Sequence, residues 1–222
     1  MSRIKLVVSD IDGTLLDSER RIRPRSREVV ARLCRRGVPL VLCSARQACT
    51  ILPIYEELGL SGPIIAHNGV LIADPTTGVT HFHEPLAPLL AQRILACVRE
   101  ETGVTNIGVH IGDERYVDRI DSWLAHWISA GYYPNPPQPV ELEAVIGRAD
   151  GVSMMYVRAD DDRLQRLRER LDRACPGALS YAFYRGASRD GQLDVWPGGI
   201  DKGTALRTVA SLLGVPLDAV LV

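Results

Sequence analysis

Asp10 and Asp12 sit one residue apart at the end of an apolar run, Ile4, Leu6, Val7 and Val8, and are followed by Gly13 and Thr14. The run reads as a buried strand. In an open α/β sheet, ligands bind outside the carboxyl ends of the strands. Both acids are therefore expected at the rim of a crevice. Ile11 turns back into the protein, so Asp10 and Asp12 face the same way. Gly13 permits a sharp turn, which leaves the Thr14 hydroxyl free to meet an anion. Two close carboxylates repel unless a cation or a shared proton relieves them. Mg²⁺ suits this place, because it prefers hard oxygens and is commonly held by one or two carboxylates plus substrate phosphate. One aspartate can then act as a nucleophile, and the other can exchange a proton with the leaving oxygen. A bare Asp-x-Asp-Gly is more often a solvated turn. The preceding strand and the motifs further along give this one a chemical reading.

Three more strand or helix ends bear on the same chemistry. A second apolar strand, Pro39 to Cys43, ends in Ser44-Ala45-Arg46. A Ser44 hydroxyl beside the first strand can hydrogen-bond a phosphoryl oxygen; it can also cap the following helix. A third strand, Ile64 to Ala66, ends in His67-Asn68-Gly69. Near the end of the sequence, Asp201 can cap a helix that runs to Leu213 with Lys202 in its first turn. Cations are favoured at helix C-termini, so a lysine at the opposite end points to an anion close by.

The elements that must position these groups alternate. Pro24 suits a first helical turn, and Val29, Val30 and Leu33 give that helix an apolar face before Gly37 stops it. A second helix reaches Leu58 and is expected to break or shift at Pro53. Strand–helix–strand–helix–strand is the pattern of a parallel, doubly wound sheet. From about Val70 the texture changes. Hairpin patterns at 70–83 and 107–117, an amphipathic helix at 86–101, and a helix at 123–129 follow. A proline-rich loop at 132–139, a strand at 152–157, a charged helix at 161–175 and strands at 179–184 and 193–196 complete it. The expected organisation is an α/β core at 1–81, an inserted α+β domain at 82–188 and the second part of the core at 189–222. His81 and His83 share a strand face but have too few neighbouring ligands for zinc. The charges between Asp160 and Arg173 read as a solvated helix face.

Composition narrows the function classes. The chain has 222 residues, 46% of them hydrophobic, with a net charge of −1 and 5% aromatic residues. That balance argues against a polybasic nucleic-acid or membrane surface and against base-stacking platforms. The cysteines, Cys34, Cys43, Cys49, Cys97 and Cys175, have no Cys-x-x-Cys spacing. Cys34, Cys43 and Cys97 fall in apolar segments, where free cysteine behaves as a small hydrophobe. A reduced, cytoplasmic setting is expected. No signal peptide is expected, nor a membrane span.

Asp10-Ile11-Asp12-Gly13-Thr14, Ser44-Ala45-Arg46, Asn68-Gly69 and Gly199-Ile200-Asp201-Lys202-Gly203-Thr204-Ala205-Leu206 together resemble the haloacid dehalogenase superfamily. The spacing, with the insertion after the Asn-Gly strand, is similar to the Cof-type sugar-phosphatase branch with its large α/β cap. The resemblance implies a Rossmann-like core and a Mg²⁺-dependent phosphohydrolase acting on a small phosphorylated metabolite, a sugar phosphate above all. By that resemblance Asp10 attacks phosphorus, and Asp12 protonates the leaving alcohol and then activates water. Thr14, Ser44 and Lys202 bind phosphoryl oxygens, and Asn68 and Arg46 meet the substrate. The Asp10 carboxylate and the Asp12 main-chain carbonyl hold Mg²⁺. Arg115, Tyr184 and Arg185 are the cap residues to examine for substrate choice. A monomer or homodimer is expected. The family's fourth motif, an acidic Gly-Asp-x-x-x-Asp-like segment after the strand at 219–222, is absent from the sequence. The expectation is therefore a piece of a longer protein, or else a shortened natural chain, that binds Mg²⁺ weakly and turns over slowly by itself. The alternatives are a phosphotransferase or mutase of the same fold, and a non-catalytic binder of a phosphorylated ligand.

Overall fold

A computed structural model describes residues 4–185 and 190–222. In chain order the elements are β1 (Leu6–Ser9), α1 (Pro24–Arg35), β2 (Leu40–Leu42), α2 (Ala48–Glu57), β3 (Ile64–Ala66), β4 (Leu71–Asp74), β5 (Val79–His83) and α3 (Pro88–Arg99). Then follow β6 (Asn106–Ile111), β7 (Glu114–Val117), α4 (Ser122–Ser129), β8 (Gln138–Pro139), α5 (Leu142–Ile146), β9 (Met154–Asp160) and α6 (Asp161–Ala174). The last are β10 (Leu179–Tyr184), β11 (Asp190–Pro197), α7 (Lys202–Leu212) and β12 (Val220–Leu221). The chain forms two compact units, Met1–His83 with Ile200–Val222, and Glu84–Gly199.

The first unit is α/β. β12, β1 and β2 pair in parallel, and a parallel bridge between Cys43 and Ile65 brings β3 alongside β2. β4 and β5 then continue antiparallel. Alternation along the strands sorts their side chains to two faces. Leu40, Leu42, Ile64 and Ala66 pack with Val30 of α1 and Ile51 and Ile54 of α2. Leu6, Val8, Val41, Cys43 and Ile65 pack with Ala205, Val209 and Ala210 of α7. Helices therefore cover both faces, as strands with little polar alternation require. α2 runs unbroken through Pro53, contrary to the expected break. The missing N–H costs one bond to the preceding turn, while Thr50, Ile51, Ile54 and Tyr55 remain buried around it.

The second unit is a six-stranded sheet in the order β10-β11-β9-β6-β7-β8. It is antiparallel except for the β7–β8 pair. One face carries Ile107, Val109, Met155, Val157, Leu193 and Val195, and α3, α5 and α6 cover it with leucines, isoleucines and valines. The opposite side chains of the same strands include the buried polar residues Asn106, His110, Arg158 and Asp194. Gly108 is required there: a Cβ at that position would lie 1.9 Å from the Tyr156 ring.

The sequence boundary at 188 falls within 186–189, outside the described residues. The strand after it, β11, pairs with both β9 and β10, so the second unit extends to Gly199. Its apolar residues Leu193 and Val195 have their packing partners in that unit. α5 was not legible in the sequence, since five residues are too few to display helical periodicity. Cys34 is exposed, whereas Cys43 is buried and Cys97 half-buried. The Cys34 expectation fails because the residue lies on the outer side of α1. No helix among the described residues is long and apolar enough to cross a membrane.

Candidate active site

β1 delivers Asp10 and Asp12 to the carboxyl rim of the sheet. Ile11 between them is fully buried in the α1–α2 core, so the carboxylates on either side are left toward solvent. Gly13 has φ +75°, the conformation that a side chain would strain. Thr14 is exposed. The register pairs Ser9 with Leu42, and the Cys43 N–H donates to the Ser9 carbonyl at 2.9 Å. Ser44 thus follows β2 directly beside the Asp10 strand.

Each carboxylate meets its own cation. Lys202 Nζ donates to Asp10 Oδ1 at 2.7 Å, across 192 positions of sequence. Arg46 grips Asp12 with two parallel bonds, Nε to Oδ2 at 2.8 Å and Nη2 to Oδ1 at 2.6 Å. This fork geometry combines charge with fixed orientation. The Arg46 side chain is only 8% exposed, while that of Asp12 is 54% exposed. Partial burial alone would raise the Asp12 carboxyl. The Arg46 hydrogen bonds and charge, with Arg20 and Lys202 adding theirs, reverse that and hold it below its ordinary value. The nearby Cys43 thiol is pushed up to about 12, mainly by burial, with the Asp10 charge adding and Lys202 opposing. It stays a protonated, inert neighbour.

Lys202 reaches this place because α7 starts at it. The Asp201 carboxylate accepts from the Thr204 N–H at 2.6 Å, and the Thr204 hydroxyl accepts from the Asp201 N–H at 2.9 Å. This reciprocal capping box fixes the first turn. Asp201 was legible as the cap; Thr204 as its return partner was not, although its spacing is the signal.

A strained turn joins the remaining pieces. His67 and Asn68 have φ of +49° and +56°, and Gly69 has +109°. The His67 N–H donates to the Arg46 carbonyl and the Asn68 N–H to the Ser44 carbonyl, both at 3.0 Å. On the other side, a Cβ at Gly69 would lie 2.6 Å from the Asp201 carbonyl oxygen. The turn is therefore clamped between the Ser44–Arg46 loop and the start of α7. Consecutive left-handed non-glycine residues persist only where their surroundings over-determine them. Asn68 is only 6% exposed, and its amide nitrogen has no hydrogen-bond partner among the described residues.

The structure thus brings Asp10, Asp12, Ser44, Arg46, Asn68 and Lys202 to one rim. Two expectations differ in detail. Ser44 does not cap α2, which begins at Ala48 after Gln47; its Oγ accepts from the Arg46 N–H at 3.2 Å. The Arg46 guanidinium, expected on substrate, lies on Asp12. In the second unit, Arg115 lies among tyrosines, its Nη1 donating to Tyr133 Oη at 2.9 Å and its guanidinium 4.5 Å from the Tyr133 ring centre. Tyr184 is exposed, and the exposed Arg185 pairs with Asp161 at 3.3 Å. His81 and His83 are both exposed on β5. Among the described residues no group of three or more His, Cys, Asp or Glu gathers for a metal.

An acidic strand end, a serine strand end and a lysine at a helix start thus meet on one α/β scaffold. The chain belongs to the haloacid dehalogenase-like hydrolases, whose family model matches residues 7–222. A Haemophilus influenzae protein named as a phosphatase is 43% identical over 68 residues, 31% of this chain and 26% of that protein. An HMP-PP phosphatase from Serratia proteamaculans is 26% identical over 224 residues, 96% of this chain and 74% of that protein. The chain thus matches about a quarter of the Haemophilus protein's length and three quarters of the Serratia protein's. The crystal structure of a haloacid dehalogenase-like hydrolase from Bacteroides thetaiotaomicron has the same fold. Its TM-score is 0.81 at 23% identity, over 98% of this chain and 80% of that one.

Proposed function

We propose that this chain is a Mg²⁺-dependent phosphohydrolase that removes phosphate from a small phosphorylated metabolite, a sugar phosphate in the first instance, through an aspartyl-phosphate on Asp10. The observation that carries the reading is the paired arrangement at the rim: Lys202 on the Asp10 carboxylate and Arg46 on that of Asp12. The phosphatase names of the relatives support it.

In the first step an Asp10 carboxylate oxygen attacks phosphorus while the ester oxygen leaves. Asp12 gives that oxygen its proton. In the second step Asp12 takes a proton from water, the water oxygen attacks phosphorus, and the acyl-phosphate bond breaks. Inorganic phosphate leaves and the Asp10 carboxylate is restored. Lys202 and the Ser44 and Thr14 hydroxyls meet the phosphoryl oxygens as charge develops. Asp12 cannot donate while Arg46 holds it ionised. It must first leave the fork and gain a proton, and a substrate anion competing for the guanidinium provides that exchange. Arg46 then serves the substrate.

The donor set fits Mg²⁺. Lys202 occupies one Asp10 carboxylate oxygen, and the Asp12 main-chain carbonyl accepts no backbone hydrogen bond among the described residues. Both are hard oxygens, and a substrate phosphate would complete the shell. Bound there, the ion would neutralise phosphoryl charge.

Phosphate release from a panel of sugar phosphates, nucleotides and diphosphates, with Mg²⁺ and with EDTA, tests this reading. Release that needs Mg²⁺ and disappears in Asp10→Asn is expected. Transfer to an added acceptor sugar would make it a phosphotransferase, and binding without release would make it a binder.

A further inference from the structure

Between the Asp12 turn and α1 lies a second concentration of cations that the reaction above does not use. Arg20, Arg21, Arg23, Arg25 and Arg27 fall within eight residues. Four of them, Arg20, Arg21, Arg23 and Arg27, line a cavity of about 540 Å³ whose apolar wall includes Ile22 and Ile54. That volume lies within the range of small-molecule sites.

Three independent features of this cavity favour an anion. The first is charge placement. α1 starts at Pro24 with no side-chain cap on its amides and no acid in its first turn. The positive end of a helix dipole favours negative charge, yet here it meets Arg23, Arg25 and Arg27. The second is the available counter-charge. Arg21 pairs with Glu19 and Arg27 with Glu57, but Arg23 makes no ion pair or side-chain hydrogen bond among the described residues. The Asp17 carboxylate on the cavity wall is engaged elsewhere: its Oδ1 accepts from the Glu19 N–H at 2.9 Å and the Arg21 N–H at 3.0 Å. The third is backbone strain. Arg20 has φ +61°, uncommon for a long side chain. The Arg20 N–H donates to the Asp17 carbonyl at 2.9 Å, and the Asp17 N–H donates to the Arg21 carbonyl at 3.0 Å. This tight turn dictates where the Arg20 side chain leaves the backbone, and such strain concentrates at ligand clamps.

We propose that the Arg20–Arg23–Arg27 cavity is a second anion site, separate from the Asp10–Lys202 rim, that binds a small multiply charged phosphate compound such as a diphosphate.

Isothermal titration with inorganic pyrophosphate in EDTA, on the full 222-residue chain, tests the proposal. The Lys202→Ala variant removes the rim cation and is expected to retain a pyrophosphate site. Adding Arg20→Ala and Arg23→Ala to it is expected to weaken that site by at least about tenfold, and Arg23→Lys by less. Higher salt should weaken it as well, since the arginines are partly exposed. Arg23 is exposed at a helix start, so Arg23→Ala alone, with an unchanged melting temperature, serves as the variant that keeps the fold. Two results would overturn the proposal: a Lys202→Ala chain that no longer binds pyrophosphate, or arginine variants that bind it as tightly as their parent.

Discussion

The two units treat the same residue type in opposite ways. In the first, Asp12 stands at a strand end, partly exposed, with the Arg46 fork at 2.6–2.8 Å. In the second, Asp194 lies inside β11, 2% exposed. Its Oδ1 accepts one neutral hydrogen bond, from Gln192 Nε2 at 2.7 Å. Arg46 holds the Asp12 carboxyl below its ordinary value although partial burial pulls the other way. Burial pushes Asp194 up to about 7, against smaller opposing contributions from Gln192 and the Arg115 charge. Three cations acting together outweigh partial burial at Asp12, and full burial outweighs the Arg115 charge at Asp194. The difference marks the rim as the place where charge is kept available, and β11 as the place where it is suppressed.

The largest expected effect is at the rim. Asp10→Asn should reduce phosphate release by at least about a thousandfold, as loss of a nucleophile does. Lys202→Ala should cost roughly a hundredfold or more, the usual scale for a group stabilising developing charge. Steady-state phosphate release measures both, and equal activity in either variant would erase the distinction between the two aspartate settings.

Gly69→Ala comes next. The new Cβ would collide with the Asp201 carbonyl, and φ +109° would be strained. A loss of roughly 1–3 kcal/mol is expected in urea unfolding, with a matching fall in kcat as Lys202 is displaced. Wild-type stability in this variant would show that the turn is not clamped.

Asp194 gives a smaller effect whose sign is set by linkage. Its folded value lies above its unfolded one, so the folded chain binds the extra proton between about pH 4 and 7. Stability falls as pH rises through that window. Asp194→Asn keeps an acceptor for Gln192 and should be more stable than wild type by roughly 1–3 kcal/mol at pH 8, and by less at pH 5. A gap that does not widen with pH would contradict the suppressed-charge reading. Asp12 runs the other way. Its contribution to stability is present above its unfolded value and fades as pH falls below about 3.8. Arg46→Ala should move the Asp12 titration upward in a carboxyl carbon NMR experiment, because burial then acts with less opposition.

Much of the first unit was legible in the sequence. Apolar strands ending in Asp10, Ser44 and Asn68 carried enough pattern to place three loops at one rim, and Lys202 stood out as a cation at the wrong end of a helix. What the pattern lacked was pairing: that Lys202 meets Asp10 and Arg46 meets Asp12 depends on side-chain reach, which spacing does not encode. The second unit was harder. Its hairpins are visible as alternation, but the burial of Asn106, His110, Arg158 and Asp194 emerges only once the strands are assembled. β11 was assigned short, because Asp190, Gly191 and Gln192 precede the apolar run that marks it.

The central claim is that Asp10 becomes covalently bonded to phosphorus during turnover. Rapid quenching with borohydride and peptide mass analysis tests it directly, since an acyl phosphate is reduced whereas a free carboxylate is not. The account predicts homoserine at position 10 with substrate and Mg²⁺, and none in Asp10→Asn under the same quench. Phosphate release during turnover with unmodified aspartate at position 10 throughout would contradict it.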